Sequence, residues 1–422
     1  MKVYLFKIIF IFLISFALSG IPILAQNPQW VVYDTSNSEL PSNHIYSLFI
    51  HNGDEKWMGT YSGLAVLIDD DWTIYNTVNS QLVNDHVYSI ISDHNETFWL
   101  GTVLGLSNYT GNTWINYTTT NSSLPNNFIS ALAIDNAGKI IAGTWGGGIT
   151  IFNGNYWTSI SSPDTLVEEL KFDHSGTLWC GTASHGIVKF VGNNYLSYIS
   201  YNIFPMGNIS SIDFDAYGNT WAGSEGGGFV KIDSLNNWTF YNQSNSILPT
   251  NTVTSIFVDS SNSIWIGTGL GVVKFDGNTS WILYDKNNSG LPDNHITAIN
   301  QDKYQNIWIA TYGGLAEYNE NGIVGVYETN FNENMVNNYL LTNYPNPFNP
   351  TTTIRYNLPQ SSALSIEIFN SLGEKVKTLY SGLQTSGSHE IVFDGGSLPS
   401  GIYFYQIITK DFSQTKKCLL LK

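Results

Sequence analysis

The chain has 422 residues, of which 42% are hydrophobic, 14% aromatic and only 12% charged, with a formal net charge of −16. Residues 26–335 hold eight Lys and no Arg against 28 Asp and Glu, a balance of −20. That balance argues against nucleic acid as a partner, because phosphate must be neutralised by basic patches, and it disfavours adhesion to anionic lipid.

The first 25 residues read as a secretory signal peptide. Lys2 and Lys7 precede an apolar run from Ile8 to Leu18, and Ile23-Leu24-Ala25 ends on a small residue suited to cleavage. A membrane anchor would need about 20 apolar residues, and no other segment is long enough to span a bilayer. The two cysteines, Cys180 and Cys418, lie in different regions, which argues against a disulfide framework. Cys180 occupies a slot held elsewhere by Met58, Leu100, Ala142, Ala222, Ile266 and Ile309, so it reads as a small buried side chain.

From Trp30 onward the chain repeats. A Trp-x-x-Tyr-like pattern begins at Trp30, Trp72, Trp114, Trp157, Trp238 and Trp281, with Tyr195 standing in between the fourth and fifth Trp. A degenerate copy at Val324 lies 294 residues after Trp30, seven periods of 42. Each unit divides into four runs bounded by Gly, Asn, Asp or Ser; in the sixth these are 253–258, 264–268, 272–275 and 281–284. Four short antiparallel strands at a period of 40–45 are the signature of a propeller blade. The expected fold is therefore all-β: a seven-bladed β-propeller over residues 26–328, a linker over 329–342, and a small Ig-like β-sandwich over 343–422.

The first strand of each unit starts at Ile45, Val87, Ile129, Val167, Ile209, Val253 and Ile296. The second carries Trp57, Trp99, Trp179, Trp221, Trp265 and Trp308, expected to pack between blades, with Ile141 in the third unit. The third position of the first strand reads Ser47, Ser89, Ala131, Glu169, Ser211, Ser255 and Ala298, small residues for a crowded axis with one carboxylate. Glu169 needs a wet channel or a partner, for which Lys171 and Asp213 are candidates. Two segments compete for the outer strand of the last blade, Trp30–Tyr33 and Val324–Tyr327. The first keeps the full consensus and is expected to close the ring.

Asn-Ser-x-Leu-Pro-x-Asn recurs at residues 37–43, 121–127, 245–251 and 288–294, and Trp-hydrophobic-Gly-Thr at 57–60, 99–102, 179–182 and 265–268. Together these resemble the two-component regulator propeller repeat. That family supplies ligand-sensing ectodomains of membrane-bound sensor kinases, often for glycans. Here no membrane span, kinase or receiver domain accompanies the repeats, so the resemblance implies the fold and not a signalling role.

Beyond an Asn-rich stretch, Tyr344-Pro-Asn-Pro-Phe-Asn-Pro350 reads as a stiff extended segment. Strands are expected over 353–357, 364–369, 376–380, 389–393, 401–409 and 416–421. The proline motif, Ile368-Phe-Asn-Ser-Leu-Gly373, Leu398-Pro-Ser-Gly-Ile-Tyr-Phe404 and the terminal Lys416, Lys417 and Lys422 resemble the type A C-terminal sorting domain of the type IX secretion system. The resemblance implies export across a Gram-negative outer membrane, with the secretion machinery as partner through residues 343–422. It also implies removal of the domain with release or attachment at the cell surface.

A ligand of the ring would sit at the mouth formed by the loops entering the first strand and those joining the second to the third. His44, His86 and His295 share the slot before the first strand in blades one, two and seven. Tyr61, Trp145 and Tyr312 occupy the second-to-third-strand loops of blades one, three and seven, and His185 and Glu225 those of blades four and five. Aromatic faces with imidazole and amide groups suit sugar rings, whereas three neutral imidazoles also suit a metal, and a plain repeat-consensus role for His remains open. No nucleophile elbow, zincin, Cys-x-x-Cys or phosphate-loop motif is present, and no cofactor is expected. The expected function is an exported non-enzymatic propeller that binds a carbohydrate or a protein partner. The alternatives are a polysaccharide lyase or hydrolase acting at the mouth, with Glu169 and Glu225 as carboxylates, and a passive scaffold or adhesin.

Overall fold

The computed structural model describes residues 29–93, 96–111, 113–192, 194–198, 208–320, 341–358, 361–370, 373–410 and 413–422. The segment read as a signal peptide, the Val324–Tyr327 candidate strand and most of the expected linker lie outside them. Two compact units divide the chain, residues 1–323 and 324–422.

The first unit contains seven four-stranded antiparallel sheets. Their inner strands are Ile45–His51, Val87–Ser92, Ile129–Ile134, Val167–Phe172, Ile209–Phe214, Val253–Val258 and Ile296–Gln301. The sixth blade runs Val253–Val258, Ile264–Thr268, Gly271–Phe275 and Trp281–Tyr284, one residue from the expected frame. The seventh takes its outer strand from the other end of the unit: Trp30–Tyr33 pairs antiparallel with Tyr318–Leu315. This closes the ring and covers two strand edges that would otherwise be free to pair with other chains.

The repeat motifs explain the wall. The second-strand tryptophans are buried, from Trp221 at 0% exposure to Trp57, Trp99 and Trp179 at 5%. Each packs against an adjacent blade, as where Trp57 stacks on Phe98 at 3.5 Å. In blades four to seven an aspartate of the preceding turn accepts the indole N–H: Asp173 and Trp179, Asp215 and Trp221, Asp259 and Trp265 at 2.9 Å, Asp302 and Trp308 at 2.8 Å. The same carboxylates accept the N–H groups of their own turns, so each clamps a hairpin to a core ring. The glycine after the Trp is required by close approach: a Cβ at Gly181 would stand 2.6 Å from the carbonyl of Ile209 on the next inner strand.

The Asn-Ser-x-Leu-Pro-x-Asn loops are self-satisfied. In the first, Asn37 and Asn43 accept the N–H groups of Asp34 and Thr35, the Ser38 hydroxyl donates to Asp34 O, and Leu40 is buried at 3% exposure. The same bonds recur at Asn245, Asn251 and Ser246. The oxygens of these asparagines hold the loop.

The second unit has a three-stranded sheet of Leu341–Tyr344, Thr351–Leu358 and Gly387–Asp394, and a four-stranded sheet ordered Lys375–Gln384, Ser362–Asn370, Gly401–Thr409, Ser413–Leu420. One core joins them, including Ile354, Tyr356 and Phe393 from the first and Ile366, Tyr405 and Leu420 from the second. The proline segment is not extended as expected. It bends, with cis bonds before Pro347 and Pro350, and inserts Phe348 into the core at 2% exposure. Hydrogen bonds from Phe348 N to Leu419 O and from Leu421 N to Phe348 O fix it there.

Candidate functional site

Connectivity brings two loops of every blade to one end of the ring, and hydrogen bonds lace them together. Tyr61 N donates to His44 O at 3.0 Å, Trp145 to Phe128 at 2.9 Å, Glu225 to Asn208 at 3.1 Å and Tyr312 to His295 at 3.2 Å. Residues from slots 17 positions apart in sequence are thereby set side by side.

All seven inner strands break register between their first and third residues. Such a bulge re-aims the extra residue and breaks strict alternation. As a result the second positions (Tyr46, Tyr88, Ser130, Glu168, Ser210, Thr254, Thr297) line the axial cavity together with the third positions. The cavity measures about 810 Å³. In blades three, five and six the second-position hydroxyl stitches one blade to the next: Ser130 donates to Val167 O, Ser210 to Val253 O and Thr254 to Ile296 O. Blades one and two place tyrosine rings there instead.

Those rings join a continuous aromatic arc. At its outer row His295 stacks on Tyr312 at 3.9 Å and 9°, and Tyr312 meets His44 at 3.8 Å. His44 lies 6.2 Å from Tyr61, which meets His86 at 4.4 Å. The inner row runs from Tyr46 to Tyr88 at 4.4 Å, to Phe128 at 5.1 Å and to Trp145 edge-on at 5.5 Å. Tyr61, Trp145 and Tyr312 are 52%, 45% and 43% exposed, a large share for aromatic side chains. Tyrosine rings separate the three imidazoles, and among the described residues no three metal-capable side chains form a group. Burial lowers the pKa of His44, as do its neighbours His295 and His86, and burial lowers that of His295 against the pull of Asp293, so both imidazoles are neutral at neutral pH.

The arc ends on carboxylates. The Trp145 indole N–H donates to Glu168 at 3.1 Å, and in blade five Asn208 donates to Glu225 at 2.9 Å. Burial pushes the Glu168 carboxyl up, the Trp145 N–H opposes this, and the charges of Glu225 and Asp164 add to it. Among the described residues neither Glu168 nor Glu225 has a cationic partner. His185 turns to its own blade, toward Ser184 at 3.0 Å and Asp164 at 3.3 Å, and does not extend the arc. Deeper in the cavity Lys171 pairs with Asp213 at 2.8 Å. The expected partnership of Glu169 with that pair is one of proximity: burial pushes its carboxyl up to about 7, with Lys171 opposing.

Six of the residues expected at the mouth, His44, His86, His295, Tyr61, Trp145 and Tyr312, are thus brought into one arc. Tyr46, Tyr88, Phe128, Glu168 and Asn208 belong to the same site and were not expected there. Phe128 and Asn208 occupy the slot of His44, so reading that slot in every blade would have found them. The second-position residues carry no such mark, because alternation along a regular strand hides them.

Residues 342–421 match the secretion system C-terminal sorting domain model, and residues 247–269 and 290–313 match the two component regulator propeller model. No curated protein matches the chain. Among solved structures it is similar to PorZ, an essential bacterial surface component of the type IX secretion system of Porphyromonas gingivalis, at 18% identity and TM-score 0.55 over 93% of this chain and 61% of that one. It is similar to the extracellular domain of the hybrid two component system BT4673 of B. thetaiotaomicron at 15% identity and TM-score 0.61, over 94% of this chain and 60% of the other. The chain therefore spans about three fifths of each of these two proteins. Virginiamycin B lyase from Staphylococcus aureus matches at 12% identity and TM-score 0.58, over 68% of this chain and 98% of that one. At these identities the likeness is one of fold. The chain is a β-propeller that carries two-component regulator propeller repeats and ends in a secretion system C-terminal sorting domain.

Proposed function

We propose that the chain is an exported or cell-surface propeller that binds a carbohydrate at the ring mouth without transforming it. The observation that carries this reading is the aromatic arc from His295 to Trp145, with three half-exposed rings beside an open cavity of about 810 Å³. Ring faces of this kind bury the apolar faces of pyranoses, while imidazoles, tyrosine hydroxyls and the terminal carboxylates give directional hydrogen bonds. The sorting domain supports delivery to the outside through the secretion machinery. An oligosaccharide array probed with the full chain and with Trp145→Ala tests the site. The reading expects discrete glycan hits that the variant loses; identical hits by the variant contradict the assignment to this mouth.

A lyase or hydrolase reading draws on Glu169, whose carboxyl near 7 sits in the same cavity. It expects oligosaccharide cleavage lost in Glu169→Gln, and inertness toward every array glycan that binds removes it.

A further inference from the structure

The mouth is predominantly acidic. Its pre-strand loops hold Asp34, Glu39, Asp85, Asp164, Asp285 and Asp293 against one cation, Lys286, and its second-to-third-strand loops hold Glu225 and no Lys or Arg. Glu168 adds a further carboxylate beside Trp145. Lys171, the one lysine on the inner strands, is engaged by Asp213.

The wall treats its tryptophans differently. Lys189 lies 4.5 Å from the Trp179 ring, Lys231 5.2 Å from Trp221, Lys274 5.4 Å from Trp265 and Lys56 4.7 Å from Trp308. Wall carboxylates are matched too, as in Asp54 with Lys303 at 2.9 Å and Glu320 with Lys274 at 2.9 Å. At the mouth Trp145, 45% exposed, is supplied with carboxylates and no cation. Glu168 and Glu225 act on each other as like charges, and burial lowers the pKa of His44 and of His295, which disfavours positive charge on those two imidazoles.

Resting on the reading of the mouth as a sugar site, we infer that its ligand is an amino sugar: the ammonium group pairs with Glu168 and Glu225 beside Trp145, and the sugar rings lie along the aromatic arc. A cation is favoured twice here, by carboxylate hydrogen bonds and by the face of an indole. A neutral sugar gains only the ring contacts, and an acidic one meets like charge.

The test compares two probes of equal length, a glucosamine hexamer and an N-acetylglucosamine hexamer, titrated calorimetrically into the full chain below the pKa of the sugar amines. The inference expects the amine hexamer to bind roughly ten-fold tighter or more, with affinity falling as salt rises. Glu168→Gln with Glu225→Gln, which keeps both shapes, abolishes that preference without changing the melting temperature. Equal binding of both hexamers, unaffected by the glutamine substitutions, overturns the inference and leaves the sugar-binding mouth standing. Amine binding that survives both the glutamine pair and Trp145→Ala overturns it by placing the contact elsewhere. Binding of neither hexamer also overturns it, and the array experiment then decides the broader reading separately.

Discussion

The wall of the ring and its mouth are built from the same seven repeats, yet they use them in opposite ways. In the wall most slots keep their chemistry: Trp against the next blade in all but the third, Leu40, Leu82, Leu124, Leu248 and Leu291 under the loops, aspartates clamping the indoles of blades four to seven. At the mouth the corresponding slots diverge, with rings on blades seven, one, two and three and carboxylates on four and five. A blade is too small to stand without its neighbours, so repeated positions serve stacking and departures from the repeat are where something other than stacking is asked of the chain.

The largest expected effect separates the two regions directly. Trp265→Ala opens a cavity between blades and should cost about 3–5 kcal/mol in denaturant unfolding. Trp145→Ala removes a half-exposed ring and should stay within about 1 kcal/mol of the parent. Comparable losses for both would erase the distinction.

The seam between the seventh and first blades sharpens it. Glu317 fills a third-strand slot that holds Lys189, Lys231 and Lys274 in blades four to six. It is 6% exposed, accepts from Asn306 at 2.8 Å and Tyr33 at 3.3 Å, and burial pushes its carboxyl up to about 8, with Asp302 adding to the rise. The folded chain therefore holds that proton more tightly than the unfolded chain. Stability contributed here is present below the ordinary carboxylate range and is lost as pH rises toward 8. Glu317→Gln should flatten that decline, a change of several kcal/mol at the upper end. A pH profile of unfolding unchanged by the substitution would remove the seam from the account.

The smallest effect lies inside one slot. Thr254 donates to Ile296 O at 2.6 Å, whereas the Thr297 hydroxyl is buried without a partner among the described residues. Thr254→Val should cost about 1 kcal/mol, and Thr297→Val should be neutral or stabilising.

The sequence made the wall legible because its signals are periodic. The starts of all seven inner strands and the stacked tryptophans could be placed from the repeat, and the closing strand Trp30–Tyr33 from its full consensus against the degenerate copy at Val324. At the mouth, spacing located His44, His86, His295, Tyr61, Trp145 and Tyr312, since each occupies a repeat slot next to a recognisable strand. Tyr46, Tyr88 and Glu168 were hidden by the bulge, a backbone feature that different second residues share and none announces. The proline segment misled for a related reason: three prolines restrict φ but do not decide the isomer of the preceding bond, and the burial of Phe348 decides its course.

The central claim is that the divergent slots of the mouth form one ligand site. Its most direct test is the melting temperature of the full chain with and without saturating array-selected glycan, measured for the parent and for Trp145→Ala with Tyr312→Ala. The account predicts a ligand-dependent rise of several degrees in the parent and none in the double variant, with equal melting temperatures in the absence of glycan. The same rise in both proteins would contradict it.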